Sequence, residues 1–158
     1  MPNNAMMNAG DAISAHRAEC FVTLNGIRHS MLMARNFKGE ARINTREVPR
    51  LGNIVIGHKA DTLVLAFSMT IYKCTEIFDD VIEEFIRTGV MPTFTIQTSN
   101  DDQASSVGRS TKIYNGCVLD GDVLLSMFDD EGDFVEQDIE GFCDSFSRPE
   151  KYINPTYM

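Results

Sequence analysis

Residues 58–74 carry the clearest pattern in the chain, an alternation of apolar side chains with small or hydroxylated ones. A period of two residues is typical of a β-strand, whose successive side chains point to opposite faces of the sheet. The fully apolar face is predicted to lie in the core, and the opposite face suits water or close approach of another surface. The apolar face comprises Leu63, Leu65, Phe67, Met69 and Ile71, and the other comprises Thr62, Val64, Ala66, Ser68, Thr70 and Tyr72.

At Thr75 the pattern changes to a helical period, which predicts one short amphipathic helix over residues 75–88. Thr75 is expected to be its N-cap and Gly89 its C-terminal stop. Acidic side chains occupy the face that is turned to solvent. The predicted core face of the helix comprises Ile77, Phe78, Val81, Ile82 and Phe85.

Shorter alternating runs separated by turn residues predict six or seven strands in all, with no second helix. Asn25 and Gly26 form a hairpin turn signal. One strand is predicted to resume over residues 123–128 and the last to span residues 134–146, with Gly39 and Gly141 as β-bulges. Short links favour antiparallel pairing. The predicted fold class is therefore mainly β, an antiparallel β-sandwich or open barrel with one flanking α-helix.

A single domain is predicted over residues 18–151, between a polar N-terminal arm of residues 1–17 and a C-terminal tail of residues 152–158. An arm of this composition is usually ordered only when another surface, such as a neighbouring subunit, holds it. Residues 44–58 are predicted to be the least regular long segment, and long connections are usually functional. Three consecutive apolar residues in it gain nothing from contact with water, so a partner surface is expected.

Composition and charge narrow the function classes. The chain has 158 residues and a net charge of −9, which repels nucleic acid rather than binding it. No apolar run approaches the roughly 20 residues of a membrane helix, and no signal peptide is visible, so folding in a cytoplasm is expected. Eight basic groups lie in residues 1–60 and eleven acidic groups in residues 120–150, so copies of the chain could complement one another.

Candidate chemistry is sparse. The three histidines, His16, His29 and His58, lie outside any metal-ligand spacing, and no nucleophile or phosphate-binding motif is present. The four cysteines are far apart in sequence and are expected to be buried free thiols. The acidic turn at residues 129–133 lacks the ligand spacing of a calcium loop. The sequence therefore predicts no enzyme, no metal site and no cofactor.

An ordered set of features gives the sequence a family resemblance. Gly57-His58-Lys59 precedes the long strand that ends in Ile71-Tyr72-Lys73, and the helix follows Thr75. The segments Pro92-Thr-Phe-Thr-Ile-Gln97, Gly108-Arg109 and Arg148-Pro149-Glu150-Lys151 come next in the same order. Over roughly residues 11–151 the chain resembles the tail tube proteins of contractile-tailed phages and of related defective-prophage and tailocin particles of Gram-positive bacteria.

This resemblance implies a structural subunit that forms hexameric rings, which stack into a hollow tube inside a contractile sheath for DNA delivery or membrane puncture. Ring oligomerisation would complete the barrel by covering strand edges. The implied partners are other copies of the chain, the tail sheath protein, a baseplate or tube initiator, a tape-measure protein, and DNA that passes through the lumen without specific binding; no membrane insertion is expected. The implied location is a virion tail or phage-tail-like particle assembled in the bacterial host cytoplasm.

Two other functions fit the pattern. A type VI secretion tube protein has a similar ring architecture, and its gene would lie beside a secretion ATPase. A monomeric ligand-binding β-barrel would stay a monomer at all concentrations and enclose an apolar cavity.

Two sets of site residues follow from the tail-tube interpretation. The ring-to-ring contact is assigned to the irregular segment, residues 44–58. A bore that lets DNA slide should repel phosphates, so the strand faces with hydroxyl and carboxylate groups are the candidates for an acidic or neutral lumen wall. The contact set is Arg46, Arg50, Ile54, Val55 and Ile56, and the lumen set is Ser68, Thr70, Glu136, Asp138 and Glu140.

Overall fold

A computed structural model of the chain describes residues 7–155 and 158. The prediction of a mainly β, antiparallel fold with one helix is confirmed, although the described residues form eight strands rather than six or seven. A short 3₁₀ turn (Ala9–Asp11) comes first. It is followed by β1 (Ala18–Leu24), β2 (Ile27–Ser30), β3 (Ala34–Val48), β4 (Gly57–Tyr72), α1 (Ile77–Thr88), β5 (Phe94–Asp101), β6 (Arg109–Leu119), β7 (Glu136–Cys143) and β8 (Ser145–Glu150).

All strand pairs are antiparallel, in the order β2-β1-β5-β6-β7-β4-β3, with β8 paired to β6. Strand β6 belongs to both halves of this sheet. Its first part pairs with β5 and β8, and its last residues, Val118 and Leu119, pair with β7. Between these parts the β5–β6 register shifts by one residue, and Gly116 has φ +63°. This bulge redirects β6 from one half of the sheet to the other.

The core fills the space between the two halves of the sheet and the helix. Aromatic rings form its centre, with Phe67 edge-on to Phe94 at 5.9 Å and Phe94 edge-on to Phe78 at 6.0 Å between centroids. Lys73 and Asp79 form a partly buried ion pair at 2.6 Å that joins the end of β4 to the helix. The buried core side chains are Val22, Leu24, Met31, Phe67, Met69, Ile71, Phe78, Val81, Phe94, Ile96, Cys117 and Ile139.

Helix α1 begins later than predicted. Its first residue is Ile77 and its N-cap is Glu76, whose side chain makes no capping hydrogen bond, so the assignment of Thr75 as the cap was wrong. Its end agrees with the prediction, since Gly89 has φ +75° and its N–H donates to the Phe85 carbonyl. Asp79 and Asp80 in the first turn and Arg87 in the last turn complement the helix dipole.

Neither predicted glycine bulge exists. Gly39 and Gly141 lie in regular ladder positions on either side of Phe67, on β3 and β7 respectively. A Cβ atom at Gly141 would collide with the Val118 carbonyl oxygen and would lie 2.9 Å from the Phe67 ring, and one at Gly39 would collide with Tyr114. Glycine is therefore required at these two positions because neighbouring groups approach closely, and not because the strand contains the extra residue of a β-bulge.

The predicted last strand is divided. It bends at Asp144, so β7 pairs with β4 and β8 returns to pair with β6. Strand β8 thus extends to Glu150, four residues past the predicted end of the last strand at residue 146. Residues 123–128, predicted to be a strand, have no regular strand pairing.

The described part of the N-terminal arm is held by the chain itself. The Asp102 carboxylate accepts a hydrogen bond from the Ser14 N–H at 3.0 Å, and the Ser106 N–H donates to the Gly10 carbonyl at 2.9 Å. Ser106 also donates its hydroxyl hydrogen to the Asp11 carboxylate. Contacts within the chain therefore anchor the described part of this arm at residues 10–17, and residues 1–6 of the predicted arm lie outside the described residues.

Candidate self-assembly surfaces

One surface of the β3–β4–β7 sheet brings together all five lumen candidates. Ser68 and Thr70 on β4 lie opposite Glu140 and Asp138 on β7, and the Thr70 hydroxyl donates to the Asp138 carboxylate at 2.7 Å. Glu136 lies opposite Tyr72 at the end of the same face. The antiparallel register explains the grouping, because directly opposed residues point to the same side of a sheet.

Strand β3 adds charged residues to this face that the sequence analysis did not assign. Lys38 lies opposite Ser68, and its ammonium group lies 2.6 Å from the Glu40 carboxylate. Hydrogen bonding to Lys38 lowers the pKa of Glu40. Arg35 donates two hydrogen bonds to Glu136, at 2.8 and 3.0 Å, and this contact raises the pKa of the arginine. Cations therefore lie along β3 and carboxylates along β7.

The β3–β4 hairpin extends beyond the rest of the sheet. Strand β7 pairs with β4 only as far as Leu65, whereas β3 and β4 remain paired out to Val48 and Gly57. The prediction that all of residues 44–58 are irregular is therefore wrong, since only residues 49–56 form the connecting loop. The strands persist because a regular ladder satisfies backbone groups that a loose segment would leave to water.

The tip of this hairpin exposes the predicted apolar patch. The side chain of Ile54 is 99% exposed, and Val55 and Ile56 are exposed as well. Arg50 donates to the Val55 carbonyl at 3.2 Å, and Arg46 forms an ion pair with Asp61 at 2.8 Å. Both arginines thus have partners within their own hairpin, next to the exposed apolar patch.

The apolar surface continues from the tip along the hairpin. Leu63 was predicted to lie in the core, but it is 57% exposed, and Ile43 opposite it is 65% exposed. The period-two pattern identified the face correctly, yet no element of the described chain covers that face beyond Leu65. The sequence did not predict that Ile43 belongs to this exposed apolar surface, because only its pairing with Leu63 in the β3–β4 ladder places it there.

Helix α1 has a second partly uncovered face. Phe78 and Val81 are buried and Ile77 and Ile82 partly buried, as the predicted core face requires. Phe85 is 41% exposed, however, so its assignment to the core face was wrong. The last turn of the helix is thus less covered than the first two turns.

Strand edges are the third feature that bears on assembly. Strand β3 pairs with β4 on one side, and its other side has no strand partner among the described residues. On the side of β7 away from β4, the ladder covers only Gly141 and Phe142, and one further hydrogen bond joins the Asp120 N–H to the Glu140 carbonyl. An open groove of about 790 Å³ separates the rest of β7 from residues 122–127. Exposed edges of this kind are templates for pairing with another chain.

Catalytic and membrane features are not prominent in the described part of the chain. Among these residues, no three His, Cys, Asp or Glu side chains are arranged to hold a metal ion. None of the helices described is long and apolar enough to cross a membrane.

Free strand edges, an exposed apolar hairpin and a charged sheet face suit a structural protein that contacts other chains. Residues 5–150 match the family described as "Phage tail tube protein", and the chain belongs to that family. Its role is therefore structural, in a phage tail or phage-tail-like particle, rather than enzymatic.

Sequence relatives come from Bacillus subtilis (strain 168). "Phage-like element PBSX protein XkdM" is 25% identical over 145 residues, which cover 92% of this chain and 95% of that protein. A second relative, YqbM, is described only as uncharacterized and is 23% identical over the same coverage.

Solved structures have the same fold at low sequence identity. A chain in the tube-terminating cap of the anti-feeding prophage superimposes with a TM-score of 0.66 at 12% identity, covering 95% of this chain and 99% of that one. A chain in the sheath–tube complex of the extracellular contractile injection system PVC gives 0.63 at 14% identity, covering 90% and 93%.

Proposed function

We propose that this chain is the repeating subunit of a tail tube, in which hexameric rings stack into a hollow conduit inside a contractile sheath. The observation that carries the proposal is the β3–β4 hairpin, which extends an exposed apolar surface beyond the subunit's own core. A lone soluble subunit gains nothing from such a surface, whereas stacked rings would bury it. Membership of the tail tube family supports this arrangement.

Ring closure is assigned to the two open sides of the β3–β4–β7 sheet. The free edge of β3 in one copy would lie beside residues 120–127 of the next copy. Lys38 and Arg42 are exposed on β3, and Asp120 and Asp122 begin the opposing segment. Opposite charges at the two sides favour this pairing and fix its direction around the ring.

The polar face of the same sheet is assigned to the bore. Its carboxylates, Glu136, Asp138 and Glu140, lie on β7, and its cations lie on β3. Glu40 pairs with Lys38 and Arg42, and Glu136 pairs with Arg35. This face offers phosphates no continuous cationic track, so DNA or another long cargo would slide without being trapped.

Ring-to-ring contact is assigned to the tip of the hairpin, residues 49–56, with Arg46 and Arg50 beside it. Burying an exposed isoleucine or valine contributes roughly 1.5–3 kcal/mol before ordering costs. Ile54 offers nearly all of its surface, and Ile56 about half. The contact repeats in every subunit of a ring, so a modest gain per copy adds up to a stable stack.

The outer surface of such a tube would meet the remaining partners, which are the sheath protein and, at the ends, a baseplate or initiator. A tape-measure protein would occupy the bore during assembly. The likeness to chains in sheath–tube and cap complexes supports these partners. Assembly is placed in the bacterial host cytoplasm.

The test replaces Ile54 and Ile56 together with aspartate. The double variant should fold normally, because both side chains lie outside the core, but it should not form tubes. Circular dichroism measures the fold, and negative-stain electron microscopy at rising protein concentration counts rings and tubes. A matched control, Ile54→Leu with Ile56→Leu, keeps the surface apolar and should assemble like the wild type.

Normal tubes from the aspartate variant would remove the hairpin tip from the ring-to-ring contact. An unfolded variant would mean that the tip belongs to the subunit core. A wild-type protein that stays monomeric at every concentration, even with a tube initiator present, would favour a monomeric barrel.

A further inference from the structure

Two of the four cysteines face each other across neighbouring strands. Cys117 on β6 and Cys143 on β7 have their sulfur atoms 3.1 Å apart. The register explains this contact, because Val118 pairs with Phe142 and Leu119 with Gly141, so the next pair along the ladder is Cys117 with Cys143. Cys117 is fully buried, and Cys143 is partly accessible.

This pair lies at the junction between the two halves of the sheet. Among the described residues, the β6–β7 ladder consists of only two residue pairs, both next to the cysteines. On the other side of the cysteines, the Gly116 bulge turns β6 towards β5 and β8. A covalent bond at this position would therefore tie together two halves that a short ladder now holds.

We propose that Cys117 and Cys143 are a disulfide-forming site, closed by a small peroxide, that locks the two halves of the sheet within one subunit. Directly opposed antiparallel cysteines with sulfur atoms in contact need little backbone movement to approach bonding distance. The site lies inside one chain, so it does not depend on the proposed tube.

The reaction balances with hydrogen peroxide as the oxidant. The Cys143 thiolate attacks one oxygen, the O–O bond breaks, and hydroxide leaves and takes up a proton as water, which gives a sulfenic acid. The Cys117 thiolate then attacks the Cys143 sulfur and expels hydroxide, which is protonated to a second water. Two thiols are oxidised to one disulfide, and one peroxide is reduced to two waters.

Accessibility sets the order of these steps and also makes them slow. Cys143 is reached first because Cys117 is completely enclosed. Burial raises the pKa of both thiols, and the Asp144 carboxylate raises them further, so little thiolate is present at neutral pH. The pair therefore remains reduced in a reducing cytoplasm and closes on prolonged exposure to oxidant.

The test treats the purified full-length chain with hydrogen peroxide, blocks remaining thiols, and maps disulfide-linked peptides by mass spectrometry. The expected product links Cys117 to Cys143, and the melting temperature should rise by about 5–10 °C because the bond closes a loop in the unfolded chain. Dithiothreitol should reverse both changes.

Matched variants distinguish this site from other thiol chemistry. Cys143→Ser should abolish the link and the rise in melting temperature, whereas Cys74→Ser, at an exposed position, should leave both intact. If Cys143→Ser fails to fold, reversal by dithiothreitol in the wild type still decides the question. The proposal is overturned if folded wild-type protein forms no Cys117–Cys143 link, if the link appears only in urea, or if it forms without raising the melting temperature.

Discussion

Replacing Gly141 with alanine tests whether the junction between the two halves of the sheet is as tightly packed as its geometry indicates. The new methyl group would collide with the Val118 carbonyl oxygen and would also meet the Phe67 ring at 2.9 Å. Phe67 is 3% exposed and packs against the Phe37 and Phe94 rings, so it has little room to move. The backbone of β6 must therefore move away from β7.

The size of the effect follows from what that movement disrupts. Overpacking a core costs about 1–3 kcal/mol, and each weakened backbone hydrogen bond adds about 1 kcal/mol. The bonds at risk are those of the two β6–β7 residue pairs and the one between the Asp120 N–H and the Glu140 carbonyl, 2.9 Å long. A total loss of roughly 3–5 kcal/mol is a large fraction of the 5–15 kcal/mol that stabilises a typical domain.

Urea unfolding followed by circular dichroism, at a concentration below assembly, measures this loss. Two other glycines calibrate it. Gly39→Ala would meet the hydroxyl oxygen and two ring carbons of Tyr114, a side chain that can shift more easily than backbone. Among the described residues, nothing lies within 4 Å of a Cβ at Gly10. The expected order of destabilisation is Gly141 first, Gly39 second and Gly10 near zero. The packing argument is refuted if Gly141→Ala is as stable as Gly10→Ala.

Two further predictions concern stability. The free energy of unfolding should fall between about pH 9 and pH 11, because burial raises the pKa of the Cys20 thiol from 9.0 to about 11. As the pH rises, the unfolded chain releases the Cys20 proton first, so the stabilisation present below pH 9 is lost by up to roughly 1.4 kcal/mol per pH unit. Urea unfolding of Cys20→Ala across this range should show a smaller fall in the free energy of unfolding. An identical fall would mean that Cys20 is not the group responsible. Glu76→Ser should stabilise α1 by about 0.5–1 kcal/mol in thermal unfolding, because the serine hydroxyl supplies the missing N-cap acceptor. Glu76→Ala is the control. An equal gain in stability from alanine would rule out capping as the cause.

Local periodicity made several elements predictable from sequence. The alternation across residues 58–74 identified β4, and the apolar stripe from Ile77 to Ile82 identified α1. Residues that tolerate a positive φ also predicted a turn correctly, since Asn25 and Gly26 both have positive φ in the β1–β2 turn. Each of these signals is carried by residues close together in sequence, so it can be recognised without knowledge of the tertiary contacts.

Features that depend on residues distant in sequence were not predictable. A strand glycine is compatible with a bulge or with close approach of another group, and only the position of Val118 distinguishes these at Gly141. The bend at Asp144 was not predicted, because no local pattern divides residues 134–146 between two strands that pair with different partners. The contact between Cys117 and Cys143 likewise requires the β6–β7 register, because the two cysteines lie 26 positions apart in sequence and no local pattern relates them.

Predicted core residues that are exposed in the single subunit indicate surfaces that another chain could cover. Periodicity identifies the face that a sequence has made apolar, but it does not say which chain covers that face. Leu63 and Phe85 lie on apolar faces and are nevertheless exposed in the single subunit. Leu63 continues the buried face of β4 onto the projecting hairpin, towards the tip at Ile54. Apolar side chains that extend beyond the core of a single subunit are what selection on the proposed assembled state would produce, because contact between copies of the chain would bury them.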